Sequence, residues 1–83
     1  MKGLNEMKIR FQSVSDVQCF NRICTHEFDE EIDLYQGRYI INAKSIMGIF
    51  SLNLLEPIVV IIHNSDPVTV NRFYERIKEW KTE

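Results

Sequence analysis

The sequence predicts an open-faced α+β sandwich, with helices on one face of a four-stranded sheet. Three observations predict it. Apolar residues alternate with polar ones over 7–14 and again through Ile32, Leu34 and the 39–41 segment, as strands with one buried face require. A β-branched run, "IVVII", fills 58–62. Apolar stripes at helical spacing lie between and after these strands, giving the order β-α-β-β-α-β-α without repeat, linker or low-complexity segment.

Taken in order, "MKIRFQSV" sets Met7, Ile9 and Phe11 against Lys8, Arg10 and Gln12, which makes it the first strand. Ser13 and Ser15 then offer N-cap hydroxyls, and Asp16 suits the positive end of a helix. Val17, Phe20, Ile23 and Cys24 form the stripe of a helix from about 15 to about 27. Ile32 and Leu34, a Gln36-Gly37 turn and the return through Tyr39 to Ile41 read as a β-hairpin. Ser45 follows with Ile46, Ile49 and Phe50 at helical spacing, but Gly48 and Asn53 limit this helix to two turns at most. Glu56-Pro57 breaks the chain before "IVVII", the last strand in sequence, expected to be central or well covered. Asp66 as N-cap, Pro67 at the first helical position and Val70, Phe73, Ile77 and Trp80 on one face predict the longest helix.

Composition narrows the function classes. A chain of 83 residues fits one domain, read as 1–83, and such a domain buries only roughly 60–65% of its unfolded surface. A binding or carrier module is therefore favoured over an enzyme with a deep cleft. The net charge of -2 gives no basic footprint for nucleic acid. The longest apolar run, "PIVVII", is far short of a membrane span, and the N-terminus has no apolar leader, so a cytoplasmic protein is expected. Cys19 and Cys24 are poorly spaced for a local disulfide and read as reduced thiols.

The segment "NAKSIMGIFSLNL" (42–54), in this element order, resembles HPr, the small phosphocarrier of the sugar phosphotransferase system, whose second motif reads N-L-K-S-I-M-G-V-M-S-L. Asn42, Lys44, Ser45, Ile46, Met47, Gly48, Ser51 and Leu52 agree with it. The resemblance implies the HPr-like open-faced β-sandwich, βαββαβα, its four-stranded antiparallel sheet covered on one face by three helices.

The other HPr signature, G-[IL]-H-A-R-P-A, is missing. By the family's spacing the phosphate-carrying histidine falls on Val14, followed by Ser15, Asp16 and Val17. Val14 has no nucleophile, and Asp16 would repel a phosphate. The two histidines, His26 and His63, stand at the expected ends of the first helix and the fourth strand.

In the HPr family the serine matching Ser45 is phosphorylated by HPr kinase/phosphorylase, and the product acts with a catabolite-control transcription factor. The resemblance therefore marks Ser45 as a phosphorylation site, with Lys44, Ile46, Met47 and Phe50 as a partner-binding patch. A phosphate on Ser45 would add roughly 1.5 to 2 negative charges beside Ile46 and Met47. Read without the resemblance, Ser45 is simply an N-cap and Ile46, Ile49 and Phe50 are core residues. Crh-type members lack the carrier histidine yet keep the regulatory serine, and this sequence is similar to them in that pattern.

The expected function is regulatory and non-catalytic, without cofactor or metal, through protein partners rather than nucleic acid or membrane. Two alternatives stay open: phosphotransfer through His26 or His63, and a structural domain in which the "KSIMG" helix forms a homodimer patch. Three further clusters are set aside. Cys19, Cys24 and His26 lack zinc-knuckle spacing, the acids of "EFDEEID" read as a solvated loop, and Phe73, Tyr74 and Trp80 read as core rather than a base-stacking face.

Overall fold

A computed structural model describes residues 6–83. The expectations that touch residues 1–5, the lack of an apolar leader and the start of a domain at residue 1, lie outside the described residues. The elements are β1 (Glu6–Ile9), α1 (Val14–Glu27), β2 (Glu31–Gln36), β3 (Tyr39–Asn42), α2 (Ile46–Phe50), β4 (Ile58–His63) and α3 (Pro67–Ile77), followed by a 3-10 turn (Lys78–Trp80). This is the expected βαββαβα order, a four-stranded antiparallel sheet with three helices on one face.

The strand order is β1-β4-β2-β3, and every neighbouring pair is antiparallel. The "IVVII" run, last in sequence, is thus interior in space, with β1 on one side and β2 on the other. Its period-two burial follows from that position. Ile58, Val60 and Ile62 are fully buried under the helices, while Val59 and Ile61 are half-buried on the open face. Opposite them on the covered face stand Ile9, Ile32 and Leu34, also fully buried.

The first strand is shorter than the alternation predicts, since its ladder to β4 ends at Ile9. Beyond it the chain pairs on its other edge: Arg10 N–H donates to the Trp80 carbonyl at 2.9 Å, and Thr82 N–H to the Lys8 carbonyl at 2.8 Å. Phe11 is buried although it lies outside β1, because its ring packs edge-on against Phe20 and Trp80 with centroids 5.2 and 6.0 Å away.

Helix α1 starts one residue earlier than expected because Ser13, not Ser15, is the cap. Its hydroxyl accepts the Asp16 N–H at 3.2 Å, and the Asp16 carboxylate accepts the Gln12 N–H at 2.9 Å. Its 14 residues make α1 the longest helix, in place of α3 with 11. The final helix is capped by Asp66 as expected but tightens into the 3-10 turn after Ile77, and that turn carries Trp80 into the core. In the β2–β3 hairpin, Gln36 and Tyr39 flank a two-residue turn in which Gly37 has φ 60°. Glycine at that first turn position suits the strand twist.

Candidate functional site

The passage from β3 into α2 is built from local polar contacts. Asn42 Oδ1 accepts the Lys44 N–H at 2.8 Å, and the Asn42 carbonyl accepts the Ser45 N–H at 3.0 Å, so one asparagine turns the chain. Ser45 then leaves helical geometry at φ -97° and ψ 104°, and its Oγ accepts the Gly48 N–H at 3.1 Å. At the other end, Ser51 Oγ donates to the Gly48 carbonyl at 2.6 Å. Five residues of helix are thereby closed at both ends by serine hydroxyls.

The same segment is tied down from behind. Ala43 is buried, its N–H donates to the Ile32 carbonyl at 2.8 Å, and its carbonyl accepts Asn21 Nδ2 from α1 at 3.2 Å. Lys44 Nζ donates to the Phe28 carbonyl at 2.9 Å, just past the end of α1. Lys44, expected in the partner-binding patch, thus has its ammonium group engaged within the fold.

The side chains of α2 divide cleanly. Ile49 is fully buried, and Ile46, expected in the partner-binding patch, is half-buried against the core. Met47 is 80% exposed and Phe50 40% exposed. Ser45, the N-cap of the same helix, is also exposed.

The positions expected from the resemblance to match the carrier site, Val14 and Asp16, lie at the first turn of α1. Val14 is the first helical residue and 57% exposed, while Asp16 turns its carboxylate back to the Gln12 amide. The segments flanking α2 meet the two ends of α1. Lys44 before α2 meets the end of α1, and Leu54 and Leu55 after α2 line a cleft of about 180 Å³ with Phe11, Gln12, Ser13 and Val14 at its start. Arg10 Nη1 reaches the Leu55 carbonyl at 3.4 Å. The sequence reading missed Leu55, which is 84% exposed. The signal was present in "SLNLLEP": three leucines in four residues exceed what one loop can bury, and only Leu52 is buried.

The remaining candidates are dispersed. His26 is exposed in the last turn of α1, and His63, at the end of β4, sits 2.9 Å from Asp33 on the open face of the sheet. Cys19 is exposed and Cys24 buried, both as free thiols, and burial pushes the Cys24 thiol up to about 12. Three of the acids between 27 and 33 have partners within the fold. Glu27 receives two hydrogen bonds from Arg76, Glu30 one from Asn64, and Asp33 faces His63. Phe73 and Trp80 are core residues, and Tyr74 packs against Phe73.

Comparison with known proteins starts from silence at the sequence level: no family model and no curated protein matches the chain. The backbone does match. Crh, the catabolite repression containing protein of Bacillus subtilis, superposes with a TM-score of 0.61 over 93% of this chain and 90% of its own, at 21% identity. The fold is the HPr-like fold of Crh. In that crystal structure Crh forms an intertwined dimer with a swapped domain. Within the HPr-like fold of the present chain, Ser45 caps α2 and Val14 is the first residue of α1. Among the described residues, no helix is long and apolar enough to cross a membrane.

Proposed function

We propose that this chain is a regulatory, non-catalytic HPr-like domain of the cytoplasm, spanning residues 1–83, that is phosphorylated on Ser45 and binds protein partners through α2. One observation carries the reading. An exposed serine caps a short helix that bears two exposed apolar side chains, Met47 and Phe50, and is anchored to the core by Ile49. A soluble surface gains nothing from an exposed methionine and phenylalanine together, whereas a docking patch does. Ile46 lends the patch its half-buried flank, and Lys44 holds the segment in place through Phe28.

Phosphate on Ser45 Oγ would set roughly two negative charges at the border of that patch. Partners that bury Met47 would be weakened, and partners presenting Arg or Lys would be favoured. An HPr kinase/phosphorylase and a catabolite-control transcription factor are the corresponding partners. Val14 in place of a nucleophile favours regulation over phosphocarriage, and Asp16, spent on the Gln12 amide, offers no phosphate ligand.

Incubation with ATP and an HPr kinase tests the reading. One phosphate per chain should be incorporated, and none in Ser45→Ala. Absence of label on the folded wild type across such kinases would refute it.

A further inference from the structure

The two edges of the sheet are treated differently. Outside β1, residues 80–82 run alongside as cover, through the Arg10–Trp80 and Thr82–Lys8 hydrogen bonds and the Ile9–Lys81 bridge. Outside β3 no strand is paired among the described residues. Strand β3 is short, at four residues, but "YIIN" itself has neither the charge nor the proline that commonly guard an edge.

We propose that β3 is a self-pairing edge, through which two copies of this chain join antiparallel about a two-fold axis at Ile40. The alternation of the ladder identifies the groups. Tyr39 and Ile41 bond to β2, a pattern that the Ala43 N–H to Ile32 carbonyl bond continues, so the backbone groups of Ile40 point away from β2. Two such edges facing each other exchange the Ile40 N–H and carbonyl reciprocally, the self-complementary contact that two-fold symmetry requires.

The side chains agree with the same register. On the open face, Val59 stands beside Tyr35, and Tyr35 beside Ile40, which is 61% exposed. A two-fold axis at Ile40 continues this row into its mate, giving one apolar ribbon of six side chains across both copies. Tyr39, 64% exposed, gains cover against the partner's Ile41 position. Charge is complementary as well. The register sets Arg38 opposite Asn42 of the other copy, whose neighbour on β2 is Asp33, with Glu31 two residues further on the same face.

This proposal is independent of the role of Ser45. Sedimentation over a concentration series should show a monomer–dimer equilibrium for the wild type and for Met47→Asp. Ile40→Lys sets two like charges at the axis and should stay monomeric while keeping the wild-type circular dichroism spectrum. On a Cys19→Ser background, Ile40→Cys should close a disulfide between copies under mild oxidation. A wild type that remains monomeric, a dimer that survives Ile40→Lys, as an intertwined dimer would, a dimer lost in Met47→Asp, or an Ile40→Cys chain that does not cross-link would each overturn it.

Discussion

Gly48 of α2 lies so close to β3 that a methyl group on it would stand 2.6 Å from Ile41 Cγ2 and 3.1 Å from Ser45 Oγ. Read as a helix residue alone, Gly48 is a weakness, and alanine there should stabilise by about 1 kcal/mol. The close approach reverses the sign. Gly48→Ala should destabilise by about 1–3 kcal/mol in denaturant unfolding, because α2 must move off the sheet. Combined with Ile41→Ala, which removes the obstructing carbon, its cost should be less than additive.

Ser45→Ala removes the acceptor of the Gly48 N–H and should cost about 1 kcal/mol in the same measurement. Ser45→Asp keeps an acceptor at that place and should cost less. The comparison separates the capping role of the hydroxyl from any role as a phosphate carrier, since neither variant can be phosphorylated at that oxygen.

Arg76 grips Glu27 with two hydrogen bonds, at 2.8 and 2.6 Å, joining α3 to the end of α1. The hydrogen bond from Arg76 holds the Glu27 carboxyl below its usual range. A carboxyl with a depressed folded-state pKa stabilises above its unfolded value and loses that contribution as pH falls through the folded one. Thermal melts of wild type and Glu27→Gln should therefore differ at neutral pH and converge in acid. The gap should also narrow in high salt, because both partners are exposed.

The two cysteines predict a simple titration. Cys19 is exposed and Cys24 is sealed on the buried face of α1, its thiol pushed up to about 12 by burial. A thiol reagent at mild pH should modify one cysteine in the folded chain and the second only in denaturant. Fast modification of both would mean that α1 opens from the sheet.

Element order was legible because each element carries its own periodicity, and the α1 stripe of Val17, Phe20, Ile23 and Cys24 is buried as read. What the sequence left out was set by distant contacts. The strand at 7–14 ends early because residues 80–82 take over its pairing, a partner that no local pattern reveals. Ser13 and Ser15 were equal candidates for the cap until the geometry of Asp16 selected Ser13. At the candidate site, the motif pointed to Ser45, Met47 and Phe50, each of which is exposed. It could not show that Ile46 leans inward, that Lys44 is engaged by Phe28, or that Leu55 remains outside.

The cover that residues 80–82 lay along β1 also has a consequence in time. Lys8 leaves a ribosome long before Thr82, yet they share a hydrogen bond. Strand β1 thus waits for β4 on one side and for residues 80–82 on the other. Until then, the apolar faces of Ile9 and Phe11 have nowhere to go, and a nascent chain stalled short of Trp80 should be a client for chaperones and proteases.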